Sequence, residues 1–245
     1  MQIFTEYCWN KGEKTEKNQD SLAFCQIVTG RKRCLLAVVC DGIGSLSQSE
    51  EASGFVTEQL IVWFCRDGPK IFKGKVRKGR ILRAGQRTLY RLHDRMKQGA
   101  PATGTGTTVS MIILVERRFF WWNAGDGRIY QGRRGKIPKL LTRDDVLNHR
   151  LTRCVGSFSW QGVAVKSGYL RRKDTFLLCT DGFWGRLSKE ALQAILMCNQ
   201  GGRQGQMQRM LREVVAQNRA RGERDDASAI FIQVAGKKEG VTHDY

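Results

Sequence analysis

The chain has 245 residues, 41% of them hydrophobic, with 27 Gly and only 3 Pro. That balance excludes a disordered, collagenous or proline-rich protein. Lys and Arg number 42 against 23 Asp and Glu, a net charge of +19, which favours anionic partners such as nucleic acid, acidic membrane surfaces or phosphorylated substrates.

No apolar run approaches the ~18 residues of a membrane span, and the start MQIFTEYCWN has no apolar signal core. A cytoplasmic protein with no membrane span is therefore expected. The length allows one large or two small domains. No linker or repeat divides the chain, so residues 1–236 are expected to form one domain, with a polar tail over 237–245. The eight Cys form no C-x-x-C pair, and several sit in apolar runs. They read as reduced core residues.

In chain order, the first predicted strands are Ser21 to Val28 and Cys34 to Cys40. A helix follows, opened by Ser47 and Glu50 as a capping box and running through Phe55, Leu60 and Trp63 to about residue 65. Asp67-Gly68 reads as a turn. A second helix spans Lys78 to Lys97, with Leu82, Leu89, Leu92 and Met96 on one stripe. Arg80, Arg83, Arg87, Arg91 and Arg95 lie off that stripe as a solvated basic face. Strands are predicted at Thr108 to Val115, Arg118 to Asn123 and Arg128 to Gly132, the last two joined by a short turn at Gly125-Asp126-Gly127. Phe119 to Trp122 are four consecutive aromatics, which suits a strand covered on both faces. Strands Gly162 to Tyr169 and Thr175 to Cys179 come next. Ser188 caps a helix through Leu192 and Leu196. Another carries Met207, Met210, Leu211, Val214 and Val215, ended by Gly222. The last strand is Ala227 to Val234. Two successive helices together with tight turns between strands indicate an α+β fold with antiparallel sheets. His93, His149 and His243 carry no recognisable site.

The chemistry lies in acidic residues at strand ends. Asn18-Gln19-Asp20 opens one strand, Asp41-Gly42 and Asp181-Gly182 each end one, and Arg224-Asp225-Asp226 opens the last. A buried strand fixes its terminal carboxylate, and the Gly lets backbone or ligand approach. If such carboxylates converge, a cation must offset their repulsion, and a hard oxygen set suits Mg²⁺ or Mn²⁺.

These segments resemble, in order, the metal-dependent serine/threonine protein phosphatases of the 2C (PPM) family, in the bacterial style. The carriers are Asn18-Gln19-Asp20-Ser21; Asp41-Gly42-Ile43-Gly44 with Glu50, Ala52 and Ser53; Gly106-Thr107-Thr108; Asn123 to Tyr130, similar to an N-x-G-D-S-R-x-Y hairpin; Leu140 to Asp145; Leu178 to Trp184; and Arg224 to Ser228. The resemblance implies a four-layer αββα sandwich of two antiparallel sheets flanked by helices. It implies two Mn²⁺ or Mg²⁺ ions held by Asp20, Asp41, Asp181, Asp225 and the Gly42 carbonyl, with Asp126 at the position of a third metal. It further implies that Asp41 and Asp181 are the central catalytic pair and that the activity is hydrolysis of phosphoserine and phosphothreonine in proteins. A cognate Ser/Thr kinase and a monomeric state belong to the same expectation.

Three departures stand out. Thr15 replaces the family's phosphate-binding Arg, leaving Lys14 and Lys17 as the candidate phosphate ligands. Ile43 replaces a His found in some relatives. The segment between Asp145 and Leu151 is too short for the usual flap beside the site. These departures keep two other functions open: a catalytically weak binding module docked through its basic surface, and a nucleic-acid binder, against which stands the lack of any nucleic-acid motif.

Overall fold

The computed structural model describes residues 2–46, 48–99, 104–157, 159–198 and 205–235. Its long strands are β1 (Ile3–Asn10), β2 (Asp20–Thr29), β3 (Lys32–Asp41), β4 (Val109–Val115), β5 (Arg118–Ala124) and β6 (Arg128–Gly132). Three short ones follow, β7 (Lys139–Leu140), β8 (Val146–Leu147) and β9 (Arg150–Leu151), then β10 (Ala164–Tyr169), β11 (Thr175–Cys179) and β12 (Ala227–Val234). The helices are α1 (Ser49–Phe72), α2 (Lys78–Gly99), α3 (Asp181–Trp184), α4 (Lys189–Met197) and α5 (Gln206–Ala220).

The strands form two five-stranded antiparallel sheets. One has the order β1-β12-β11-β6-β7 and the other β10-β5-β4-β3-β2. Strand β3 shows why the apolar runs are unbroken. Successive side chains point to opposite faces. Leu35, Ala37 and Val39 pack between the sheets, while Cys34, Leu36, Val38 and Cys40 pack against the α1 and α2 layer. A third core joins the other sheet to α3, α4 and α5. The result is the expected αββα sandwich. Among the described residues no helix is long and apolar enough to cross a membrane.

The structure corrects several local expectations. Strand β1 was not expected; only Ile3 and Cys8 in it are fully buried, so its sequence lacks a clear alternation. It is nevertheless an edge strand paired to β12 along its whole length. Asp67-Gly68 is not a turn but lies inside α1. The helix continues to Phe72 because Gly68 packs its bare backbone against Ile27 and Phe72, where a Cβ would be crowded. Ser47, proposed to cap α1, lies outside the described residues. The helix opens after Gln48 in the left-handed region (φ 53°), without a side-chain cap. Gly125-Asp126-Gly127 does not close a hairpin: β5 and β6 belong to different sheets, so this segment carries the chain from one sheet to the other. The cap at Ser188 is present, its hydroxyl accepting from the Ala191 N–H at 3.1 Å. The expected tail over 237–245 and His243 lie outside the described residues.

Candidate functional site

At one end of the sandwich, strand ends from both sheets bring the predicted aspartates together. Asp20 and Asp41 are cross-strand partners, at the start of β2 and the end of β3. Asp181 follows β11 and opens α3, and Asp225 precedes β12. Asp126 sits on the crossing between the sheets.

The local backbone explains each placement. The Thr180 hydroxyl donates to Asp20 Oδ2 at 2.9 Å, fixing that carboxylate across the seam between the sheets. Asp20 is buried, and its Oδ1 has no partner. The Asp41 N–H donates to Thr108 Oγ1 at 3.0 Å, and the Thr107 hydroxyl donates to the Asp41 carbonyl at 2.8 Å. The Gly106-Thr107-Thr108 motif therefore clamps the end of β3. Gly42 lies so close to the Ser49 carbonyl that any Cβ would collide with it. Gly182 is pressed in the same way against the Asp226 carbonyl. Both glycines are required by backbone contact.

Charge dominates the site. Burial pushes the Asp20 and Asp41 carboxyls well above the usual carboxylate range, and the neighbouring aspartates push further in the same direction. Asp181, which lies against Asp41, is raised by burial and by Asp225. Asp126 is pushed up to about 6, by burial first and then by Asp181. Among the described residues the one cation ion-paired to these aspartates is Lys14, whose ammonium meets Asp225; that bond raises its pKa. Among the described residues no three His, Cys, Asp and Glu side chains close into a formed metal cluster. The donor chemistry fits a hard divalent cation all the same. It consists of carboxylates and a carbonyl, with buried oxygens of Asp20 and Asp181 lacking any partner.

Lys17, the second expected phosphate ligand, is paired instead with Glu50 at 2.7 Å. Thr15 donates its hydroxyl to the Lys17 carbonyl at 2.7 Å. In place of a flap, β8 and β9 form a tight hairpin. Its two turn residues, Asn148 and His149, have φ of 49° and 60°, as a two-residue hairpin loop requires. Asp145 ties this hairpin to the crossing: its backbone N–H donates to the Gly125 carbonyl at 3.0 Å, and its Oδ2 accepts from the Gly125 N–H at 3.3 Å. His93 is buried, its Nδ1 accepting from the Gly156 N–H at 3.1 Å, and is structural.

Sequence reasoning gave Asp226 no role. Its two carboxylate oxygens accept from the N–H groups of Gly12 (2.6 Å) and Gln19 (2.7 Å), so it pins both ends of the loop that carries Lys14. Trp184 was also missed. It donates to the Asp126 carbonyl at 3.0 Å and lies 3.3 Å under the Arg128 guanidinium, while Arg128 forks onto Asp144 at 3.0 and 2.7 Å. The D-D and G-F-W steps of the sequence were the available signals.

Two antiparallel sheets between helical layers, with an aspartate cluster at one end, define the fold class of the serine/threonine phosphatases. A bacterial serine phosphatase matches with a TM-score of 0.77 at 18% identity, over 97% of this chain and 100% of that one. Serine/threonine phosphatase Stp1 from Staphylococcus aureus matches at 0.76 and 18%, over 96% of each chain. The catalytic domain of the serine threonine protein phosphatase PstP, solved with two manganese ions, matches at 0.71 and 20%, over 96% and 99%. No curated protein matches. The protein phosphatase 2C family profile matches residues 12–224. The chain belongs to that family and is a protein phosphatase of the PPM type.

Proposed function

We propose that this chain is a metal-dependent phosphoprotein phosphatase that hydrolyses phosphoserine and phosphothreonine. In this proposal two Mn²⁺ or Mg²⁺ ions are held by Asp20, Asp41, the Gly42 carbonyl, Asp181 and Asp225, with Asp126 serving a third. The observation that carries it is the gathering of these aspartates from both sheets, with Lys14 the one cation ion-paired to them among the described residues. When bound, the cations would offset that charge and the charge on the phosphoryl group, and make water acidic enough to yield a nucleophile near neutral pH.

The chain's own residues do the rest. Thr180 orients Asp20, and Thr107 and Thr108 hold Asp41. Lys14 stands on Asp225 at the edge of the cluster and serves as a phosphate ligand, as a point charge rather than a fork. Lys17, exposed and held by Glu50, assists from further out. A cysteine nucleophile is disfavoured: burial pushes Cys8 and Cys40 up to about 12 and Cys154 up to about 11, and a thiol must ionise to attack. Phosphorylated proteins, with a cognate Ser/Thr kinase to make them, are the proposed partners, and residues 1–236 the proposed domain.

The test is hydrolysis of a phosphothreonine peptide with Mn²⁺, with Mg²⁺ and with excess chelator. Turnover should require metal and fall at least a hundredfold in Asp181→Asn and Asp41→Asn. Turnover that survives chelation or either substitution would place the chemistry elsewhere. A folded protein with no turnover in any metal would point to a binding module.

A further inference from the structure

The open side of the sandwich between β7 and β10 holds a groove of about 760 Å³. β7 and β10 are the terminal strands of their sheets. All six residues of β10 line the groove, so the strand presents its unpaired edge there. β10 pairs with β5 on its other side, leaving alternate backbone N–H and C=O groups facing the opening. One of them, the Tyr169 carbonyl, accepts from Arg133 at 3.1 Å. The floor is apolar: Phe119, Trp121 and Leu141 line it. Phe119 lies so close beneath Gly168 that no side chain fits at that position.

The walls are basic. Arg133, Lys139, Arg143, Lys166 and Arg171 line the groove, and no Asp or Glu does. Arg133 is neutralised by a fork onto buried Asp174, at 2.9 and 2.8 Å. The other four have no ion-pair partner among the described residues. Lys166 lies on the same face of β10 as Ala164, which packs into the core between the sheets; Val165 packs on the opposite, helix-facing side. Lys166 thus stands at the mouth of the gap, opposite Lys139 and Arg143. An exposed strand edge is a template for a further strand. Here the charge around it selects an acidic one.

We infer that this groove binds an extended acidic peptide segment as a strand added to the edge of β10, its carboxylates meeting Lys166, Lys139, Arg143 and Arg171. At about 3.3 Å per residue the edge is about 20 Å long and accepts about six residues. The groove is aligned with the aspartate cluster. Ala164 is opposite Asn123, near the end of β5 that leads to Asp126, and Tyr169 is opposite Arg118 at the far end. A segment seated there runs toward the cluster; that it belongs to a phosphoprotein substrate rests on the phosphatase proposal, but its binding does not.

The test uses the full chain in chelator, so that binding is read without turnover. A fluorescein-labelled (Glu-Val)₄ peptide is titrated by anisotropy at low salt. The Lys139→Glu/Lys166→Glu variant should bind it at least tenfold more weakly. A charge-matched (Glu-Val)₄ peptide N-methylated at every residue, which has no backbone donor to offer in either register, should bind wild type at least fivefold more weakly than the unmethylated peptide. With Mn²⁺ added, hydrolysis of p-nitrophenyl phosphate should be the same in wild type and variant. Equal binding by the variant, or equal binding of the two peptides, would overturn the inference. So would a single-stranded oligonucleotide that displaces (Glu-Val)₄ and loses its own affinity in the variant. Peptide binding without any hydrolysis would sink the phosphatase proposal and leave the groove standing; hydrolysis without peptide binding would do the reverse.

Discussion

Asp126→Asn should make the metal-free protein more stable, and pH should reveal why. The carboxyl of Asp126 is pushed from 3.8 to about 6 by burial and by Asp181. A raised carboxylate means that the folded state holds a proton the unfolded state releases. The resulting cost is absent below the unfolded value and fully present above the folded one. About two pK units at 1.36 kcal/mol each set a ceiling of about 3 kcal/mol. Asp126 is half-buried, so water screens part of this, and a gain of about 1–3 kcal/mol is expected at pH 7.5. At pH 4.5 the gain should shrink to about a third. Near 2–4 °C per kcal/mol for a chain of this size, Tm should rise by about 2–12 °C at the higher pH. Urea unfolding of wild type and variant, in chelator at both pH values, is the assay. Mn²⁺ should then narrow the difference, because it offsets the same charge. A variant no more stable at pH 7.5, or equally stabilised at both pH values, would show that the Asp126 carboxylate carries no such cost of burial and like charge.

Three further outcomes follow from named contacts. Lys14→Ala should raise KM for a phosphopeptide several-fold while lowering the Mn²⁺ concentration needed for half-maximal activity, since it would remove both the proposed phosphate ligand and the ammonium paired to Asp225; a metal titration at fixed substrate separates the two effects. Asp226→Ala should cost about 2–4 kcal/mol in chemical unfolding, because it orphans the N–H groups of Gly12 and Gln19. Gly85→Ala should cost about 1–3 kcal/mol by driving a Cβ into the buried Trp122 indole, while leaving the half-saturating Mn²⁺ concentration unchanged.

Much of this molecule is legible in its sequence, but unevenly. Runs such as Cys34 to Cys40 are apolar at every position because both faces of β3 are covered, and their ends fall within two residues of expectation. The strand-end aspartates were visible for the same reason, since a charge stops an apolar run. Their meeting was not visible: Asp20 and Thr180 are 160 positions apart and touch only across the seam between the sheets. Short-range signals misled where distant packing decided. Asp67-Gly68 has turn chemistry, yet it sits in a helix held against β2 by Ile27. Gly125-Asp126-Gly127 has hairpin chemistry, yet its flanking strands find partners in opposite sheets. Lys14 reads as free to bind phosphate until the fold sets Asp225 against it.

The seam itself has a mechanical consequence. Asp20 and Asp41 are mounted on one sheet, Asp181 and Asp225 on the other. A cation shared among them would act as a rivet at one end of a two-ply laminate. The plies could not slide or peel apart there without shearing it, and the open side between β7 and β10 would lose part of its freedom to gape. Occupancy at the riveted end would thus set how far the opposite lip can breathe, so that filling the site would stiffen a surface that never touches the metal.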